Sequence, residues 1–146
     1  MNLRSVITAV AGMSLVGAGS AYAADHVVKA SVTSWEPMIV YVAPGDSVRW
    51  ENMNGHNSES LEGMIPDGAE KWQSVLGEGF SHTFKEPGLY MYKCAPHFST
   101  GMVGAVIVGD GMPSNLEGVK GHPDNKGMIA RAVRKVVKDL EGKGVK

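Results

Sequence analysis

Apolar and polar residues alternate along several short stretches of this chain. Ser47-Val48-Arg49-Trp50-Glu51 and Phe80-Ser81-His82-Thr83-Phe84 both show the two-residue period of a strand with one buried face. Residues 26–32, 38–43, 89–93 and 102–108 are rich in Val, Tyr and other residues that suit a pleated surface. Strands are therefore expected over 26–32, 38–43, 47–52, 80–84, 89–93 and 102–108. Pro44-Gly45-Asp46 and Pro87-Gly88 carry the turn chemistry that reverses a chain between neighbouring strands. Short strands separated by such turns point to a sandwich. In 65–78, Pro66-Asp67-Gly68 followed by 69–73 suggests one short helical turn.

The period changes in the tail. From 124 to 141 the apolar residues fall at Met128, Ile129, Ala132, Val133, Val136, Val137 and Leu140, while Lys126, Arg131, Arg134, Lys135 and Lys138 lie off that stripe. This is the 3.6-residue repeat of a helix with one apolar face. Asp124 is placed to cap its start and Gly142 its end. A shorter helix is expected over 113–119. A stripe of this kind can serve a membrane or a partner, but packing on its own domain is the commoner use.

The first two dozen residues stand apart from this body. Arg4 gives a basic start, residues 6–19 are uncharged and mostly apolar, and Ala21-Tyr22-Ala23 has the small-x-small pattern of a leader cleavage site. The run is too short to anchor the chain across a bilayer. The expected arrangement is a signal peptide over 1–23, a β-sandwich over 24–111 and a helical extension over 112–146. Cleavage is expected after Ala23, with Ala24 as the alternative. The processed protein is then a monomer in the periplasm, without membrane insertion.

The chain has 146 residues, enough for one core, and its 43% hydrophobic and 20% charged content is that of an ordinary globule. Charge is uneven: residues 25–111 hold five Lys/Arg against eleven Asp/Glu, and residues 112–146 hold eight against four. Neither half has the dense basic face that nucleic-acid binding needs.

Export makes the single cysteine informative, because oxidising compartments favour paired thiols and Cys94 has no partner in its chain. Cys94-Ala95-Pro96-His97-Phe98-Ser99-Thr100-Gly101-Met102 offers thiolate, imidazole and thioether between two expected strands. Thiolate and thioether suit Cu(I), and imidazole also suits Cu(II). Such a site needs a second histidine. Among the others, His56 is the best placed, after the turn-like Asn54-Gly55, although spacing alone does not force that choice. His26, His82 and His122 read as surface or structural residues. Met53, Met64, Met91 and Met112 read as packing or surface. The nine methionines are dispersed rather than clustered as in a metal-storage tract, and a structural zinc site would prefer more Cys and His. No histidine cluster suggests the second metal of a copper enzyme.

Gly55-His56-Asn57, the 63–70 run Gly-Met-Ile-Pro-Asp-Gly-Ala-Glu, the Cys94-x2-His97-x4-Met102 loop, Val106-x-Val108-Gly109-Asp110 and Asn115-Leu116-Glu117-x-Val119-Lys120-Gly121 together resemble the bacterial pseudoazurins. The loop alone also fits plastocyanins. The resemblance implies a mainly β protein, an eight-stranded Greek-key cupredoxin sandwich with two C-terminal helices packed on one sheet. It implies one type 1 copper held by His56, Cys94, His97 and Met102, and a backbone N–H of Asn57 reaching the Cys94 sulfur. It also implies an electron carrier rather than an enzyme, acting through His97. A nitrite reductase or related denitrification enzyme would accept the electrons, and a cytochrome or quinol-oxidising complex would supply them. Pro96, two residues after the thiolate, has no N–H to offer the sulfur. Three features depart from the family pattern. The stretch between the first strand and Glu36-Pro37 is shorter, with Trp35 at its end, which bears on the surface beside His97. Ser99-Thr100 makes the loop more polar, and an acidic sandwich replaces a ring of lysines, leaving Lys29, Lys71, Lys85 and Lys93 as candidates for docking.

Overall fold

The computed structural model describes residues 23–145, so the expected leader, except its last residue Ala23, lies outside the described residues. Eight strands form two four-stranded sheets. They are β1 Asp25–Ser31, β2 Ser34–Glu36, β3 Ile39–Val42, β4 Ser47–Glu51, β5 Glu59–Ser60, β6 Phe80–Thr83, β7 Gly88–Lys93 and β8 Val103–Val108. One sheet has the order β2-β1-β4-β6 and the other β3-β8-β7-β5. The pairs β1–β4 and β3–β8 are parallel, and the other pairs are antiparallel.

Between the sheets lies an aromatic core. Trp50 is fully buried, with its ring 5.3 Å from Tyr92, 5.8 Å from Trp72 and 6.5 Å from Phe84. Tyr92 lies directly across from Gly104 on β8, and a Cβ there would come within 2.4 Å of its ring. Only glycine fits under that tyrosine.

The outer face of the second sheet is covered by the tail. Leu89 and Met91 of β7 and Val103, Ala105 and Ile107 of β8 pack on Leu116 and Val119 of α1, Leu116–Gly121, and on Ile129, Ala132, Val133, Val136 and Leu140 of α2, Gly127–Gly142. This explains why β8 is buried at all six positions. Its alternate side chains face two different cores. The apolar stripe of the tail is thus spent on its own sheet.

Four local expectations are corrected. Residues 65–78 contain no helix. After the turn at Asp67-Gly68 the chain runs extended, with Trp72 O accepting from Ser60 N–H at 3.0 Å and Ser74 N–H donating to Ser58 O at 2.8 Å. Pairing along β5 outweighs the local preference of Ala69 to Gln73. The first tail helix starts three residues later than expected. Asp124 does not cap α2, because Lys126 N–H bonds back to Asp124 O at 2.7 Å and Gly127 takes a left-handed φ of +52°. That turn separates Asp124 from the helix. Gly142 is the last helical residue, and Gly144 takes the left-handed conformation instead, at φ +66°.

His82, on β6, is 9% exposed and stacks on Trp72 with ring centroids 4.9 Å apart. Burial holds its imidazole below the ordinary value of 6.5, against a smaller opposing pull from Glu70. The unfolded chain therefore takes up this proton before the folded chain does. The His82 contribution is fully present above about pH 6.5 and declines as pH falls through that value towards the lower folded one. Urea midpoints measured across that range should decline less steeply in His82→Gln than in the parent protein. Parallel curves would remove His82 from the acid sensitivity.

Candidate metal centre

One group of side chains stands out at one end of the sandwich. Cys94 follows the last residue of β7 and is fully buried, so its sulfur points into the protein rather than towards solvent. Its N–H donates to Met102 O at 3.0 Å, which ties the two ends of the 94–102 loop together. Inside the loop, Thr100 and Met102 N–H groups both donate to His97 O at 3.2 Å. Gly101 closes the short 3-10 turn Phe98–Thr100 with φ +93°, a conformation that a side chain would strain.

His56 arrives from a different part of the chain. After β4, Asn52 takes φ +58° and Gly55 φ +78°, and His56 N–H bonds to Met53 O at 2.8 Å. The tight turn aims the imidazole at the cysteine. Nδ1 of His56 and Nδ1 of His97 each lie 3.6 Å from Cys94 Sγ, and the two rings are 4.7 Å apart. The three candidate donor atoms all lie within 4.8 Å of one another. Among the described residues this is the one His/Cys/carboxylate group arranged to hold a metal ion. Met102, only 1% exposed, closes the same loop.

Chemistry and geometry agree here. A buried thiol facing two imidazole nitrogens is a poor arrangement for a structural cysteine but a good one for a soft metal. Burial, and then the neighbouring His97, hold His56 below the ordinary imidazole range. A neutral ring keeps its lone pair available for coordination.

Asn57 links the two halves of the site. Its Oδ1 accepts from Ala95 N–H at 2.7 Å, fastening the segment that carries His56 to the loop that carries Cys94. This side-chain bond to Ala95 is separate from the backbone bond to the Cys94 sulfur that the resemblance implies. Asn57 Nδ2 also donates to Glu59 Oε2 at 3.3 Å, and Glu59 pairs with Lys93 at 2.9 Å. Ala95 and Pro96 are exposed, and His97 is half-buried.

Two further residue groups border the site, and the sequence reading gave neither a role in it. Trp35, on β2, is 3% exposed, and its ring lies 6.4 Å from His56 and 5.3 Å from Tyr92. Val75 and Leu76 are well exposed in a loop fastened to the site by Gly77 N–H donating to His56 O at 2.9 Å. A pair of apolar residues in an otherwise polar loop was the available signal for the second. The first was marked only as the end of a stretch shorter than the family pattern.

The remaining histidines play structural parts. His26 Nε2 lies 2.8 Å from Asp46, His82 is stacked in the core, and His122 sits against Gly63. Met53, Met64 and Met91 are core residues, and Met112 is exposed. Of the four lysines, Lys93 reaches the loop, with its ammonium 5.2 Å from the centre of the Phe98 ring. Lys71 is paired with Glu62.

Residues 22–109 match the profile of the copper-binding proteins of the plastocyanin/azurin family. The chain is 37% identical over 121 residues to pseudoazurin of Paracoccus pantotrophus, covering 78% of this chain and 83% of that one. Its structure superposes on pseudoazurin from Methylobacterium extorquens AM1 with a TM-score of 0.71 and 34% identity, covering 79% and 98% of the two chains. The structure of pseudoazurin from Hyphomicrobium denitrificans gives a TM-score of 0.66 at 28% identity, covering 76% and 97%.

Proposed function

We propose that this chain, which belongs to the plastocyanin/azurin family of copper-binding proteins and within it to the pseudoazurins, holds its copper through His56, Cys94, His97 and Met102 and passes electrons through His97 to a periplasmic reductase. Proteins of this family are electron-transfer copper proteins and not enzymes. The observation that carries the ligand assignment is the pair of imidazole nitrogens, each 3.6 Å from one buried sulfur.

Copper bound there supplies a one-electron couple between Cu(I) and Cu(II). The protein contributes a site that changes little as the charge changes. Cys94 supplies a soft, anionic donor, the two histidines supply borderline donors, and Met102 supplies a weak thioether. Asn57 and the backbone bonds around His97 hold these groups in position before any metal arrives. His97 is the more exposed imidazole and lies on the loop surface, which supports it as the point of entry and exit.

The exposed Val75 and Leu76 add an apolar element near His56, suited to a small and short-lived contact. The acceptor is a nitrite reductase or related denitrification enzyme, and the donor a cytochrome or quinol-oxidising complex. Removal of the leader releases a monomer into the periplasm. Among the described residues no helix is long and apolar enough to cross a membrane.

The visible spectrum of the copper-loaded protein tests the carrier site. Intense thiolate-to-Cu(II) absorption, bleached by a mild reductant, is expected. A colourless Cu(II) protein would overturn the ligand assignment. Stopped-flow mixing of the reduced protein with a copper nitrite reductase tests the partner, and the absence of electron transfer would remove it.

Pro96 supplies a further prediction. Exposed and lacking an N–H, it leaves the Cys94 sulfur without a donor from that position. Pro96→Ala restores an N–H, and a hydrogen bond to the thiolate favours the form in which the metal neutralises least of its charge. Voltammetry should show a raised reduction potential. An unchanged or lowered potential with an intact spectrum would show that Pro96 does not control the thiolate.

A further inference from the structure

Asp46, in the turn between β3 and β4, is a charged residue that is only 7% exposed and has no part in the metal site. Its Oδ1 accepts from the backbone N–H of Ala24 at 2.8 Å. Its Oδ2 accepts from Ala43 N–H at 3.0 Å and lies 2.8 Å from His26 Nε2. Ala24 is held at its other end too, because its carbonyl accepts from Ser47 N–H at 2.9 Å. Both backbone groups of this one residue are therefore fastened to the 46–47 turn. Ala24 is also the residue that immediately follows the small-x-small tripeptide Ala21-Tyr22-Ala23.

We propose that Asp46 is the receiving site for the α-ammonium created when the leader is cut between Ala23 and Ala24. The proposal rests on the reading of residues 1–23 as a leader. In the cut, a leader peptidase uses one water molecule to hydrolyse the Ala23–Ala24 peptide bond. Ala23 leaves as a carboxylate, and the Ala24 nitrogen becomes an amine that is protonated at neutral pH. A neutral amide donor on Oδ1 is thereby replaced by a cation at the same atom.

This changes the energetics of the turn in one direction. Charge-assisted hydrogen bonds are stronger than neutral ones, and a carboxylate with little access to water gains most from a fixed counter-ion. The Ala24 N–H, followed by His26 and Ala43, already holds the Asp46 carboxyl down to about 2, so the acceptor is anionic over the ordinary pH range. A cut one residue later would remove Ala24 altogether. Asp46 Oδ1 and the Ser47 N–H would then both lose their partners, at the start of the β1–β4 ladder. The structure thus discriminates between two cleavage positions that the leader motif leaves open. It also couples processing to folding, since cleavage turns an existing neutral contact on Asp46 Oδ1 into a charged one.

Thermal unfolding of four copper-free proteins tests the site: chains beginning at Ala24 or extended by Ala23, each with Asp46 or with Asp46→Asn. The chain beginning at Ala24 should melt roughly 3–6 °C above the extended one, and the difference should collapse in the Asp46→Asn pair. Equal melting temperatures, or a difference that survives Asp46→Asn undiminished, would overturn the proposal. Should Asp46→Asn fail to fold, the unaltered chain still decides through its α-amine. Acylation of that amine in the folded protein should be at least severalfold slower than in urea, and equal rates would overturn the site. The mass of the exported protein supplies an independent arm. A chain starting at Ala24 supports the site, and one starting at Asp25 refutes it. An uncut precursor would refute the leader reading, while the melting comparison would still decide whether Asp46 binds a terminal ammonium.

Discussion

Cys94→Ser should abolish the intense visible absorption of the copper-loaded protein and leave a folded β-sandwich. The absorption requires a sulfur orbital overlapping the metal, and an alcohol oxygen is harder, far less readily deprotonated and unsuited to Cu(I). The fold has little stake in that sulfur. The Cys94 N–H to Met102 O bond is made by backbone, and serine is close enough to cysteine in size to keep the place of Cys94 at the edge of the cluster that holds Trp50 and Tyr92. The stability cost in the copper-free state should stay within about 1–2 kcal/mol. Far-UV circular dichroism, denaturant midpoint and visible spectrum on one sample separate the two effects. Full native colour in the serine variant would end the assignment of Cys94 as ligand.

Removing residues 113–146 should have the largest effect on the protein as a whole. Ile129, Ala132, Val133, Val136 and Leu140 of α2 are all at most 5% exposed, and they cover Leu89, Met91, Val103, Ala105 and Ile107 of the sheet. Full burial of a Val, Leu or Ile side chain stabilises by about 1.5–3 kcal/mol. Losing several on each side of one interface amounts to a large share of the ~5–15 kcal/mol by which a domain of this size is stable. The Tyr41 hydroxyl would also lose its bond to Asp139 Oδ2, at 2.7 Å, although no proposed copper ligand would be deleted. The truncated chain should be unfolded or aggregated at room temperature, and Leu140→Ala alone should cost about 2–5 kcal/mol. Solubility and denaturant midpoint are the measurements. A truncated chain as stable as the parent would mean that the stripe serves a partner or a membrane.

What the sequence determined by itself is local. The two-residue period of β4 and β6 was legible because alternation along a strand needs no knowledge of what covers it. The helical stripe from Met128 to Leu140 was legible for the same reason. The donor types and spacing of Cys94, His97 and Met102 were legible because all three lie in one short loop, 94–102, whose ends are tied by the Cys94 N–H to Met102 O bond. The choice of His56 rested on resemblance.

Tertiary structure decided the rest, because it depends on which surfaces meet. His56 stands 38 residues from Cys94 and reaches it only through the packing of one sheet on the other. Trp35 closes on His56 because β2 pairs with β1 at the sheet edge, a three-residue strand too short to announce itself. Residues 72–74 became an extended edge rather than a helix, because backbone groups at 58–60 offered partners that Ala69 to Gln73 could not supply locally. Asp46 looked like an ordinary turn residue until the fold set it against Ala24 and His26. Short-range periodicity is written in residue order, whereas these contacts pair residues about 20 or more positions apart, or bring in strands of two or three residues. Their energies come from burial and pairing that exist only after the sheets have closed.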